Sequence, residues 1–318
     1  MILSSIILTS LSLMNGFDLY YDPDDLTTCV SAETTVAEIN RRAAKDRLYF
    51  PLSLDENTPI GELVLKQQFT PASFRYGPLA DNVLGMNFKL YSGKIVKIGS
   101  RVVKNVTGFE FNKFLCNCGS RFGEIEKIVL RLRPLAETMN YRLINGSFEN
   151  LQSLRRTFLQ SSWSHVTDVF DFICDHRGMR FGLRFSCSAS QVEIYDSHLK
   201  PLVHQHHCDM TRTESLPSPQ LDSFVKVKTT ISQGAQQAKD LVERFGGVAH
   251  GFAGNAFFHF DPEPERRSDA TLQAALQKLH ENVSAQGGHV TSSVVHYPAN
   301  EVEQRLEQTF KAKLEQLP

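Results

Sequence analysis

From about residue 139 onward the apolar residues switch repeatedly between a period of two and a period of three to four. This alternation is the feature that most constrains the fold. Residues 141–144 read as a strand, and Leu151, Leu154 and Phe158 then share one face of a helix. Strands are expected at 166–174 and 180–186. A polar, proline-bearing linker at 211–222 separates this set from a second one. That set has a strand at 224–228, then a helix with Ala238, Leu241, Val242 and Phe245 that Gly246-Gly247 should stop. Strands at 248–252 and 256–260 follow, then a helix with Leu272, Leu276, Leu279 and Val283, and a closing strand at 290–295. Val302, Leu306, Phe310 and Leu314 fall on one face of a last helix. Strands and helices in this order predict an α+β cap with an antiparallel sheet, built from repeated βαββα units that share no obvious residue identity.

The first 138 residues read differently. Leu26 to Val30 is a β-branched run after the turn-forming Asp22-Pro23-Asp24-Asp25. Thr35 and Glu38 have the spacing of a capping box, with Val36, Ile39 and Ala43 on the buried face of the helix it starts. A hairpin is expected over 82–99, turning at Ser92-Gly93. Lys127 to Arg133 alternates, with Ile128, Leu130 and Leu132 inward, and predicts a half-buried strand. The apolar Met1 to Leu8 lacks a basic flank and a cleavage pattern, and is too short to span a bilayer, so it reads as a buried strand.

A chain of 318 residues suits two domains, here 1–138 and 139–318, and 41% hydrophobic with 22% charged residues is an ordinary globular composition. A net charge of −1 gives no electrostatic basis for binding nucleic acid or an anionic membrane. The six cysteines have no framework spacing and read as reduced thiols of a cytoplasmic protein.

The stretch from Arg75 to Pro134 carries a set of ordered landmarks. They are Arg75-Tyr76-Gly77, Asp81-Asn82-Val83-Leu84-Gly85, Lys104-Asn105-Val106-Thr107-Gly108-Phe109-Glu110, Phe122-Gly123-Glu124-Ile125 and Leu130-Arg131-Leu132-Arg133-Pro134. Thr58-Pro59-Ile60-Gly61-Glu62 precedes them. In order and spacing these resemble the second half of the PCMH-type flavin-binding domain of the vanillyl-alcohol-oxidase family, of the kind found in bacterial glycolate oxidase. The resemblance implies FAD as cofactor, oxidation of a 2-hydroxy acid by hydride transfer to flavin, and partner subunits in a multi-subunit oxidase. It also implies a second half that forms a substrate cap.

The residues it marks as cofactor-binding are Ile60, Gly61, Gly77, Lys104, Gly108, Gly123 and Ile125. Glycines in such positions let backbone amides approach a flat ring or a pyrophosphate. The family's glycine-rich pyrophosphate loop would lie ahead of Met1. Glu62 and Asn117-Cys118-Gly119-Ser120-Arg121 depart from its glycine and small-residue pattern. The alternative reading is a non-catalytic scaffold or assembly relative that has lost flavin. His289, after Gly287-Gly288, is the candidate for a base. The His204–Asp209 cluster reads as a polar loop and not as a metal site.

Overall fold

A computed structural model describes residues 18–51, 56–66, 69–100, 111–116, 118–216, 224–254, 256–292 and 301–316. The expected strand at the N-terminus falls outside these residues. The chain divides into two compact units, one of Met1–Thr70, Gly77–Leu135 and Ala299–Pro318, the other of Pro71–Tyr76 and Ala136–Pro298.

In chain order the first unit opens with β1 (Tyr20–Asp22), β2 (Thr27–Ser31), α1 (Val36–Ala43), β3 (Leu48–Tyr49) and α2 (Ile60–Lys66). A short helix, α3 (Ser73–Tyr76), belongs to the second unit. The first unit resumes with β4 (Val83–Leu90), β5 (Ile95–Gly99), α4 (Phe111–Leu115), β6 (Gly123–Arg131) and β7 (Arg133–Pro134). Its main sheet has the order β1-β2-β6-β4-β5. The capping box forms as its residue types require. The Thr35 hydroxyl accepts from the Glu38 amide at 3.2 Å, and the Glu38 carboxylate accepts from the Thr35 amide at 3.0 Å.

The strand expected at 127–133 is longer than its alternation suggested. Val129, between the inward Ile128 and Leu130, is also fully buried, because it packs with Cys29, Tyr20 and Leu84 on the sheet's other side. It is therefore covered on both faces rather than half-buried.

The second unit continues with β8 (Thr138–Asn145), α5 (Phe148–Gln160), β9 (Thr167–Asp175), β10 (Gly178–Cys187), α6 (Val192–Gln205) and β11 (Asp209–Thr213). Then come β12 (Val225–Lys228), α7 (Gly234–Phe245), β13 (Val248–Phe252), β14 (Phe257–Asp261), α8 (Ala270–Ser284) and β15 (His289–Ser292). Eight strands form one sheet in the order β11-β8-β10-β9-β13-β14-β12-β15. Read from its centre outward, the order is the same on both sides. The sheet is two βαββαβ units joined where β9 pairs antiparallel with β13. The repeat expected from the sequence is present, and the first copy closes with a strand, β11, that matches the closing strand expected in the second.

One face of this sheet, carrying Phe170, Phe172, Phe181, Leu183, Phe258, Phe260 and their neighbours, packs with Leu151, Leu154 and Phe158 of α5, Leu241 and Val242 of α7, and Leu272 and Leu276 of α8. Gly246 caps α7 at φ 68°, a backbone angle that costs glycine little.

Neither α6 nor β11 is among the elements expected from the sequence. The inward face of α6 presents Asp196 beside Leu199 and Val203, and Pro201 lies within the helix, so neither the apolar period nor its continuity is visible. Asp196 is buried against Arg142, whose Nε and Nη2 donate to it at 2.7 and 2.9 Å, and it also accepts from Arg212. The expected linker thus begins with a strand.

The last helix, α9 (Glu301–Gln316), groups with the first unit and not with the cap. Its Phe310 ring stacks on Phe114 with centroids 3.8 Å apart and meets Phe111 edge-on at 6.0 Å. Leu314 is fully buried, and Glu315 accepts from the Ser92 hydroxyl and the Lys94 ammonium, each at 3.1 Å. The division therefore differs from a single cut between 138 and 139: this helix and α3 change units, and the boundary falls between Leu135 and Ala136. No helix among the described residues is long and apolar enough to cross a membrane.

Candidate functional site

The residues that the flavin resemblance marks are mostly committed to protein contacts. Ile60 and Gly61 begin α2, next to the bridge between Thr35 and Pro59. Their amides donate to the carbonyls of Thr34 and Ala32, both at 2.9 Å. A Cβ on Gly61 would lie 2.6 Å from the Ala32 methyl, so glycine there allows helix and strand to approach. Gly77 has φ 76°, and a Cβ would meet an Asp81 carboxylate oxygen at 2.7 Å. Gly123, at φ 151°, would bring a Cβ to 2.0 Å from the Lys89 carbonyl of the neighbouring strand. Ile125 is buried on β6 opposite Phe88. Lys104 and Gly108 lie outside the described residues.

An FAD contact needs a missing side chain that faces open space and an N–H free to donate. Gly61, Gly77 and Gly123 face protein instead. Gly119 does face open space, but its amide donates to the Leu65 carbonyl at 2.8 Å. Glu62 is an exposed partner of Lys66 at 2.7 Å, and Arg121 is exposed beside the partly buried Cys118, whose thiol burial pushes up to about 11. The described members of the set do not form a cradle that fits FAD.

In the second unit, His289 sits at the exposed start of the edge strand β15, its ring 5.7 Å from that of His280. His204 ends α6, His206 takes up a hydrogen bond with the Ser153 hydroxyl at 3.1 Å, and His207 has φ 53° in the turn to β11. These residues sit at a helix end and turn. Among the described residues no group of three or more His, Cys, Asp or Glu could hold a metal ion.

The chemically richest region was not marked by the sequence. It lies on the face of the eight-stranded sheet opposite the phenylalanine core. Register puts Gly182 across from Asp171 on β9, Asp171 across from Phe252, His250 across from His259, and His259 across from Lys226. Paired residues point to the same side, so Arg184, Asp171, His250, His259 and Lys226 share this face on five adjacent strands. The first four are nearly inaccessible, and Asp171 is 1% exposed.

His250 Nε2 lies 3.1 Å from Asp171 Oδ2, while Asp171 Oδ1 is buried without a hydrogen-bond partner. Burial raises the Asp171 pKa, opposed by its bond to His250 and by the nearby His250 and Arg184. Burial, aided by Lys226 and His250, holds His259 well below the usual histidine range, so it is neutral. Beside this row, Asp168 is fully buried and accepts from Arg75 Nη1 at 2.9 Å, with Arg184 Nε 3.9 Å away. The pairing of Asp171 with His250 crosses the junction of the two repeats and 79 residues of sequence.

No protein-family model matches the chain. Over 114 residues it is 26% identical to the mitochondrial D-lactate dehydrogenase (cytochrome) of Arabidopsis thaliana, a match covering 36% of this chain and 20% of that protein. Over 141 residues it is 23% identical to glycolate oxidase subunit GlcD of Bacillus subtilis, covering 44% and 30%. A D-lactate dehydrogenase of Anaerostipes hadrus is 24% identical over 161 residues, covering 50% and 33%. The matches thus span a third or less of these curated relatives.

Two solved structures of an alkyldihydroxyacetonephosphate synthase superpose with TM-scores of 0.62 and 0.60 at 11% identity. Each superposition covers 95% of this chain, and 64% and 65% of the respective synthase chains. The α+β fold expected from the sequence, a partial PCMH-type domain followed by an α/β cap, is the fold observed.

Proposed function

We propose that this chain is part of a flavin-linked oxidoreductase that acts on a 2-hydroxy acid, working with partner subunits. The observation that carries this reading is its sequence similarity to D-lactate dehydrogenases and to a glycolate oxidase subunit. FAD, when bound, would accept the hydride, and the protein's part would be to position the substrate and tune the site.

A second reading, a scaffold or assembly relative without flavin, is favoured by Gly61, Gly77 and Gly123, whose missing side chains face protein. Purification followed by absorbance in the flavin bands separates the two. The oxidoreductase reading expects a yellow protein, or one that turns yellow with added FAD, and reduction of a dye on adding D-lactate or glycolate. A protein that stays colourless after FAD is supplied overturns it in favour of the scaffold.

A further inference from the structure

We infer that the cleft between α1 and the β1–β2 edge of the first unit's sheet is a binding site for a phosphomonoester with an apolar body, its phosphate held by Arg41, Arg42 and Lys45. The site lies wholly within the first unit and does not rest on the proposed function.

The cleft has a volume of about 500 Å³, within the range of small-molecule sites. Its floor is apolar and open. Tyr21 of β1 pairs with Thr28 of β2, so the two point to one side of the sheet, and Val30, two residues on, points there as well. Val30 is half-buried, and Leu19, just before β1, is 60% exposed. Both line the cleft, with Ile39 of α1.

The cations stand along one wall. Arg41 and Arg42 end α1, and Lys45 lies in the short 3-10 turn, Ala44–Asp46, that continues it. Arg41 and Lys45 are four residues apart, about 6 Å at Cβ, so both can reach one compact anion. All three side chains belong to exposed residues, and among the described residues none forms an ion pair with a carboxylate.

Arg42 is held in a way that bulk solvation does not explain. It stands four residues after Glu38, the spacing of a helical ion pair, yet its guanidinium stacks over the Tyr21 ring, 4.8 Å from the centroid. The ring is itself fixed, because the Tyr21 hydroxyl donates to Asp46 Oδ2 at 2.7 Å. An arginine fixed before its ligand arrives loses less entropy on binding. Basic residues in a last turn also offset the helix dipole, but that role needs neither a cleft beside them nor a ring clamped under one of them.

Charge selects the ligand. Glu38 is the acidic residue among those lining the cleft, and the helix cap already uses its Oε2, which accepts from the Thr35 amide and hydroxyl at 3.0 and 3.1 Å. Three cations against this one carboxylate leave two positive charges, matching a phosphomonoester, about −1.5 to −2 near neutral pH. Donors converging on one point suit the three oxygens of a phosphate better than the two of a carboxylate. The open floor of Leu19 and Val30 then takes the apolar part of the ester.

The test uses the full chain and calorimetry, with phenyl phosphate as probe and inorganic phosphate and phenol as controls. Phenyl phosphate should bind at least about tenfold more tightly than either control. Arg42→Gln and Lys45→Gln should each weaken it at least about tenfold, and Leu19→Ser should weaken phenyl phosphate while leaving inorganic phosphate unchanged. A wild-type chain that does not bind phenyl phosphate, or binds it no better than inorganic phosphate, overturns the site. Unchanged affinity in Arg42→Gln also overturns it, since the probe then sits elsewhere. Vesicles containing phosphatidic acid distinguish the two sources of such an ester. Given binding of the probe, co-sedimentation that Arg42→Gln abolishes identifies a lipid headgroup, and a chain left in the supernatant identifies a soluble ester, the site standing in both cases.

Discussion

Two residues show how steric and electrostatic causes can be separated at the scale of the single side chain. Gly61 lies against the Ala32 methyl, and its amide is already used by the Ala32 carbonyl. Gly61→Ala should therefore destabilise the first unit by about 1–3 kcal/mol through overpacking. Adding Ala32→Gly should recover at least half of that in the denaturation midpoint. A glycine needed for cofactor approach would gain nothing from the second substitution.

His259 responds to pH with a definite sign. Its folded pKa is depressed below the usual 6.5, so as pH falls the unfolded chain binds the proton first. The cap's stability should be full above about 6.5 and fall below it, by up to ~1.4 kcal/mol per pH unit. Asp171 acts in the opposite sense. Its folded pKa is raised, so its contribution is present at low pH and lost as pH rises from the unfolded carboxylate value through the folded one. Urea midpoints of wild type and His259→Gln between pH 5 and 8 check the histidine part, and parallel curves would refute it.

At the scale of elements, the capping box on α1 is worth about 1 kcal/mol, the loss expected in Thr35→Ala. Helix α9 depends on Phe310, which is only partly buried, so Phe310→Ala should cost about 2 kcal/mol, below the range for a fully buried ring. Thermal unfolding followed by circular dichroism measures both.

Elements were legible where local chemistry agreed with tertiary role. The hairpin of β4 and β5, the Gly246 stop of α7 and the apolar stripes of α5 and α8 all meet that condition. Helix α6 was not legible, because an aspartate with two arginine partners occupies a core position, and those partners lie on β8 and β11. The double burial of β6 was hidden for a related reason, since Val129 is covered by Cys29 from a strand about 100 residues earlier. Periodicity reports one face, and only the assembled sheet supplies the second.

On the scale of the whole molecule, the cap face at Asp171 and His250 was invisible to the sequence for the same reason. Neither residue lies in a motif, and they meet only because β9 and β13 join two repeats. The resemblance marked glycines in the other unit, whose described members serve packing.

Each unit has its own buried residues, so unfolding should show more than one transition. Trp163, the single tryptophan, belongs to the second unit and reports on it alone. Thr35→Ala should then move part of the circular dichroism transition and leave the tryptophan fluorescence transition in place. Movement of both together would show one cooperative unit.

The contact between Ser92 and Glu315 spans 223 residues of sequence. During synthesis the β4–β5 hairpin emerges long before the helix that covers it. At about 5–20 residues per second, that interval is on the order of 10–45 s. Through it, Phe111 and Phe114 stand without the ring that later stacks against them, and the nascent chain carries an aromatic patch open to chaperones or to wrong partners. The order in which the ribosome delivers this protein therefore sets when its first unit can be finished.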